Sequence, residues 1–502
     1  MMSVVNTVSL WGLEGHAVKV ETDIARGLPM WQVVGLGDKT IKESVERIKA
    51  AMVNSGWDYP RQRITVNLSP AGRPKEGTHF DLPIAVGLMA ACGDMDPVCL
   101  KEYAFIGELS LGGELNRVRG VLPLVMTCSD ADIRKVIVPY GNAREAAMVE
   151  GVEIYPAETL SQVISHMTGE EKIAVYNERK EKVGTTGYLH EDYRDVKGQE
   201  CAKRAMVICA AGAHGMLMMG SPGCGKSMLA KRLPSILPPM TYRERLEVTR
   251  IYSIAGLLTD KMPVVEERPF RSPHQNITMA AMLGGGSKPV PGEFSLAHMG
   301  VLFMDEFVQF DRGLINAMRQ PLEDEQVVVA RKNGTAVFPG KVIFVAASNP
   351  CMCGWAGDPV KSCTCSAGQI ASYNSKLSGP VLDRIDMRIE VPRVDPADMR
   401  EGISSADMRK QVVTARKIQE RRYEGLPFYF NSQLSPRGIE RFCVMDKKTE
   451  ELLQTAYRER PLSMRTFHRT IRLARTIADV EGSEEIRFEH AAEALQYRRE
   501  RE

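Results

Sequence analysis

The sequence predicts a multidomain chain of mixed α/β and α+β class. An α+β domain is expected over residues 1–168, a linker over 169–190, an α/β domain over 191–395 and a helical domain over 396–502. Three observations predict this. The length of 502 residues corresponds to about three domains at roughly 150 residues each. A phosphate-loop pattern lies mid-chain between a strand-like and a helix-like run. The texture also changes twice, from short β-type runs mixed with helices, to alternating apolar strands and helices, to helical periodicity alone.

Composition narrows the class. Lys+Arg total 65 against 63 Asp+Glu, a net charge of +2, with 44% hydrophobic and 25% charged residues. These values exclude a disordered, collagen-like or disulfide-stapled chain and give no overall basicity to argue for nucleic acid. Residues 1–27 lack a basic start followed by an apolar core and carry Glu14, Glu21 and Asp23, unlike a secretory signal. The most apolar stretch, 205–219, is broken by Gly212, His214 and Gly215, so a membrane span is not expected. A cytoplasmic location follows, with most of the 11 cysteines reduced.

In chain order, Thr40–Ser55 reads as helix, while Ile64–Leu68 and Val136–Val138 read as strands. The charge run Glu178–Lys182 and Gly184-Thr185-Thr186-Gly187 mark the linker. Next comes the apolar run Met216–Met219, then Gly220-Ser221-Pro222-Gly223-Cys224-Gly225-Lys226-Ser227, then the helix-like Met228–Leu233. In that context the glycines turn backbone N–H groups toward phosphates. Lys226 places a cation on the β and γ oxygens, and Ser227 offers its hydroxyl to Mg²⁺. ATP and Mg²⁺ are the expected cofactors. Val301–Met304 runs into Asp305, expected to hold Mg²⁺, and Glu306, expected to activate water as general base. Val342–Ala347 ends at Ser348-Asn349, and Asn349 is placed to orient the same water. Farther on, Phe467, Ile471, Ala474 and Ala478 share one helical face.

Cys351, Cys353, Cys363 and Cys365 form two C-x-C pairs. Such pairs closing a short loop suit tetrahedral structural zinc, although C-x-C is tighter than the usual C-x₂-C, and four reduced cysteines in a loop is the alternative. Asn333-Gly334 between the β-type runs 326–331 and 335–338 signals a hairpin. From Arg409 to Arg475 there are 16 lysines and arginines against 7 acids. That excess would attract phosphate backbones, though solvated helical domains are often basic too.

The acid, polar sensor and phosphate loop on successive strands resemble the AAA+ ATPases. Further segments resemble more narrowly the YifB/ComM family of magnesium-chelatase-like AAA+ ATPases. They are Arg268-Pro269-Phe270-Arg271-Ser272-Pro273-His274, Gly284-Gly285-Gly286, Pro291-Gly292-Glu293-Phe294-Ser295-Leu296-Ala297-His298 and Arg319-Gln320-Pro321-Leu322-Glu323. Gln275-Asn276 departs from the family's usual His and Thr. The resemblance implies an arginine finger at Arg384, within Leu382–Asp386, and a sensor arginine at Arg465, which opens a lid helix. Both would act on nucleotide bound by a neighbour in a homo-oligomeric ring, six subunits being the family expectation. It also places Arg331 and Lys332 at a hairpin tip facing DNA in the ring's pore.

Pro74-Lys75-Glu76-Gly77 and Phe105–Leu111 resemble the protease domain of Lon, a fold like domain 2 of ribosomal protein S5. That protease works with a Ser–Lys pair. Here His79 stands at the serine position and Val125 near the lysine position, so the fold is expected without the peptidase. The leading expectation is an ATP-hydrolysing ring motor that migrates DNA branches during recombination. A chelatase-type ATPase that remodels a protein for metal insertion is the alternative.

Overall fold

The computed structural model describes residues 2–177, 191–286, 289–331, 334–376, 384–394, 402–459 and 463–498. Most of the expected linker, residues 178–190, lies outside them, as do Lys332, Asn333 and 381–383. The start of that segment is not a free tether. The Tyr176 N–H donates to the Ile154 carbonyl at 2.8 Å, and Ile173 and Val175 pack on the N-terminal core. Apolar side chains two apart bind one face of an extended run, and that outweighs the polar residues between them.

The N-terminal region is a seven-stranded mixed sheet. Its order is 30–34, 63–69, 14–25, 2–11, 103–105, 135–139, 153–157. Strands Met2–Trp11 and Glu14–Ala25 form its central antiparallel hairpin. Helix Asp81–Cys92 packs against that hairpin and is almost wholly buried, which explains why it reads as a continuous apolar run without amphipathic spacing. Helix Lys39–Asn54 starts where the Asp38 carboxylate accepts from the Ile41 N–H at 3.0 Å. That side chain satisfies an amide that the helix itself cannot.

The central sheet is parallel, in the order 270–271, 301–304, 343–348, 216–219, 387–390. Alternate residues of each strand feed opposite cores. Met216, Met218, Val301, Phe303, Val345 and Ala347 enter one cluster, while Leu217, Leu302, Met304, Phe344 and Ala346 enter the other. With both faces covered, the three inner strands are apolar runs, while the edge strands carry Arg271, Arg388 and Glu390. Helices Glu200–Gly212 and Lys226–Ile236 cover the first face. The C-terminal helices Ser405–Arg422, Pro436–Phe442, Lys447–Glu459, Met464–Val480 and Phe488–Gln496 join the same cluster. Ile471, Ala474 and Ala478 are buried as the spacing predicts, with Phe467 packed beside them. Strands Gln326–Arg331 and Gly334–Pro339 pair antiparallel, with Arg331 opposite Gly334; the expected tip at 332–333 lies outside the described residues.

The N-terminal region is docked on the central one. Helix Val121–Asp130 packs on helix Tyr242–Ala255. The Gly120 N–H donates to the Ser253 carbonyl at 3.0 Å, and the Ser253 hydroxyl donates to buried Glu145 at 2.6 Å. Among the described residues no disulfide forms, and no helix is long and apolar enough to cross a membrane.

Candidate functional site

Parallel strands bring their C-terminal ends to one edge, and loops gather there. The phosphate loop, Asp305-Glu306 and Asn349 each follow the end of a strand of this sheet. The sheet order places the Asn349 strand between the acidic strand and the phosphate-loop strand. Residues more than a hundred positions apart therefore meet. The Lys226 ammonium donates to the Gly220 carbonyl at 2.6 Å, the Ser221 carbonyl at 3.0 Å and Asn349 Oδ1 at 3.2 Å. The Ser227 hydroxyl donates to Asp305 Oδ2 at 2.5 Å.

Local backbone supports the arrangement. Gly225, at φ +97°, turns the chain into helix Lys226–Ile236 through a conformation that costs other residues free energy. The helix N-terminus then presents unpaired N–H groups to anions. Glu306 is exposed and sits at φ +49°. Its N–H donates to Asp305 Oδ1 at 2.9 Å. A left-handed non-glycine beside paired acids is a strained position of the kind that occurs at reactive centres.

Sequence reading missed a brace under this loop. Gln199 Nε2 donates to the Cys224 carbonyl at 3.3 Å and the Pro392 carbonyl at 2.6 Å, tying the loop to the segment after strand Met387–Glu390. Its one local sign is that Gln199 has φ +61° at the start of helix Glu200–Gly212, which sequence does not reveal.

Arg384 and Arg465 lie elsewhere. Arg384 precedes strand Met387–Glu390, whose register sets Met387 opposite Met216. It is therefore at the N-terminal edge of the sheet, one strand length, about 13 Å, from the phosphate-loop edge. Both arginines contact the Glu323 carboxylate in an open cleft of ≈ 730 Å³. The Arg384 side chain is 10% exposed and that of Arg465 48%. Below them, Arg469 donates to Asp386 Oδ1 at 2.8 Å, while His214 bridges Asp386 Oδ2 at 3.1 Å and the Thr476 hydroxyl at 2.7 Å. Burial pulls the Asp386 carboxyl upward, but Arg469 and His214 outweigh it and hold the group well below the usual range.

Part of the basic excess of the C-terminal region is spent internally, while Arg409, Lys410, Lys417 and Arg421 among others stay exposed. Arg416 donates to the Ala210 carbonyl and stacks on Phe430; Arg422 and Arg475 pair with Asp479; Arg472 donates to the Ser432 carbonyl. These guanidiniums hold helices together, so the charge count overstates the cationic surface. Arg331 likewise donates to the carbonyls of Gly286 at 2.8 Å and Ala330 at 2.9 Å.

The four cysteines converge. Their sulfurs all lie within 4.8 Å of one another. Cys351–Cys353, Cys353–Cys363 and Cys351–Cys363 are 3.4, 3.5 and 3.7 Å apart. A tetrahedral ion at the usual zinc–sulfur distance separates its sulfurs by about 3.8 Å, so the cluster is compatible with a four-thiolate metal site. Backbone N–H groups of Trp355 and Thr364 are the chief influences that hold the Cys353 thiol down, at about 5.

At the N-terminal resemblance to Lon, His79 is buried and its Nε2 lies 2.8 Å from the Val8 carbonyl. Burial pushes its pKa down to about 4. Val125 is fully buried in an apolar cluster. Buried Lys75 donates to the carbonyls of Gly35, at 3.0 Å, and Pro70.

Comparison with known proteins matches these regions. The family profile described as magnesium chelatase, subunit ChlI, matches residues 192–399. Profiles for subunit ChlI of Mg-chelatase and for the ChlI C-terminal part match 20–142 and 402–498. Competence protein ComM of Haemophilus influenzae is 39% identical, covering 99% of this chain and 97% of that protein. YifB of Salmonella typhimurium is 37% identical over the same shares. An archaeal Lon protease of Thermococcus kodakarensis is 29% identical over 137 residues, 26% of this chain and 21% of that protein.

Proposed function

The chain belongs to the ComM/YifB family of magnesium-chelatase-like AAA+ ATPases, and from that premise we propose that it is an ATP-driven ring motor that remodels DNA. The branched intermediates of recombination during DNA uptake are its substrate. One observation carries this reading: 39% identity to a competence protein runs along 99% of the chain, through a nucleotide centre whose residues meet.

Mg²⁺, when bound, offsets phosphate charge, and the Ser227 and Asp305 oxygens, 2.5 Å apart, are the hard donors that fit it. Lys226 draws the β and γ oxygens into the loop. Glu306 takes the proton of the attacking water, and Asn349 orients that water while steadying Lys226. Arg384 and Arg465 serve the nucleotide of the neighbouring subunit. Support comes from their place at the opposite end of a parallel sheet from this chain's own loop, and from their shared contact with Glu323. Head-to-tail packing into a ring, six subunits on the family expectation, brings that edge onto the next subunit's phosphate loop. Family rings of this type place the 326–339 hairpin toward the pore, where Arg331 and Lys332 would grip DNA backbone. The four thiolates would hold a structural zinc.

The test measures ATP hydrolysis by the purified protein with and without a four-way DNA junction, scoring strand movement in parallel. Stimulation together with movement is expected; an assembled ring showing neither would sink the DNA reading. A chelatase-type motor acting on a protein is the second reading, favoured by the three ChlI profile matches. It predicts turnover indifferent to DNA.

A further inference from the structure

We propose that the four-cysteine loop is a metal-locked brace for the phosphate loop, so that nucleotide binding depends on the metal. The proposal rests on the zinc reading above and extends it from a local fold to control of the ATP site. The segment 350–366 forms no helix or strand, and only Pro350, Cys351 and Gly354 in it are buried. A loop with so little core needs a crosslink to hold a shape.

That shape meets the nucleotide centre through Gly354 and Tyr373, with Asp358 adding an electrostatic link to Ser221. Gly354, at φ +88°, packs so closely on the phosphate loop that a Cβ there would lie 2.6 Å from Pro222 Cγ. The Ser221 hydroxyl is the first of the groups that hold the Asp358 carboxyl below its usual range, ahead of the N–H groups of Lys361 and Val360. Helix Ala367–Lys376, which follows Cys365, returns Tyr373 to within 3.4 Å of the Ser348 hydroxyl, beside Asn349. Cys351, two residues past Asn349, begins the loop, and Asn349 accepts from Lys226. Pro222 of the phosphate loop, its lysine and the polar sensor are thus all in contact with the metal loop or tethered to it. Without the crosslink, the loop loses the surface that Pro222 and Ser221 rest on.

Gly354→Ala and Asp358→Asn disturb the contact without touching a thiol. Met352→Ala, at a residue 79% exposed in the same loop, is the control. In full-length protein, zinc per chain, affinity for a fluorescent ATP analogue and amide exchange over 220–227 are measured. The wild type is also measured after a zinc-selective chelator in excess magnesium, and again after zinc is restored. Both contact variants should keep about one zinc per chain, bind the analogue about tenfold more weakly and exchange faster in the phosphate loop, a loss on the scale of removing an outer supporting contact at a site. Chelation should do the same reversibly, and the control should match the wild type. Wild-type affinity in both zinc-loaded variants and after chelation would overturn the brace alone. A wild type holding less than about half a zinc per chain would overturn the zinc reading and the brace with it. Asp358→Asn leaves the backbone unstrained, so it decides the matter if Gly354→Ala fails to fold.

Discussion

Two regions of this chain have the layout of a catalytic centre: the edge of the central sheet around Lys226, and the turn around His79. Both place titratable side chains beside strand ends. At the first, the polar side chains pair with one another, Ser227 with Asp305 and buried Lys226 with Asn349, and Glu306 is exposed. At the second, His79 spends its hydrogen bond on a backbone carbonyl, and Val125 lies in an apolar cluster. Packing demands only that buried polar atoms find partners, whereas catalysis demands groups left available to substrate.

The contrast can be broken most forcefully at Arg384. Arg384→Ala should lower ATP turnover by about 10³-fold or more, the usual worth of an arginine finger, while nucleotide affinity stays near wild type. If the arginine acts across the interface, mixing this variant with Glu306→Gln restores part of the turnover. About a quarter of the interfaces in a randomly mixed ring then carry both intact groups. No recovery in a mixture shown to co-assemble would put both residues to work on one subunit's nucleotide.

Glu306→Gln alone should bind ATP and cut steady-state phosphate release by about 10²–10⁴-fold, the range for loss of a general base. Normal turnover would remove Glu306 from that role.

A smaller effect separates the buried charged network from the buried neutral histidine. Asp386 is held below the usual carboxylate range, so its stabilisation is present above about pH 4 and is lost as pH falls toward its folded value. Asp386→Asn should destabilise the central region by about 3 kcal/mol at pH 7 and flatten the acid limb of its stability profile. An unchanged melting midpoint at pH 7 would show that Arg469 and His214 manage without it.

Least of all should follow from His79→Ser, which puts the hydroxyl back at the Lon position. It should cleave no casein and destabilise its domain by about 1–3 kcal/mol through the lost Val8 contact and the space left behind. The histidine is neutral when buried, with its pKa down at about 4. Its contribution is therefore full above about pH 6.5 and falls away between there and about pH 4, and the variant should lose that part of the pH dependence. Casein cleavage by either protein would erase the distinction between the two regions.

The nucleotide residues were legible because the signal is contiguous. Strand, loop and helix follow one another from Met216 to Ile236, and Asp305-Glu306 closes a four-residue apolar run. His79 was legible as a substitution within a motif. Gln199, Gly354, Asp358 and Glu323 were not, because each acts on a residue more than 60 positions away. The cationic excess between Arg409 and Arg475 could be counted in the sequence, but not how much of it reaches the surface. Charge can be counted along the chain, but whether a guanidinium meets solvent or the Ala210 carbonyl depends on packing.

By itself the sequence determined most element types and the residue set of the candidate nucleotide centre, since periodicity and the phosphate-loop pattern are local properties of the chain. Only the tertiary structure decided the order of the central strands. That order sets Asn349 between Asp305 and Lys226 and puts Arg384 at the far edge from its own phosphate loop. Parallel strands have to be joined by long crossovers, and which neighbour each one finds is settled by the two cores that cover the sheet.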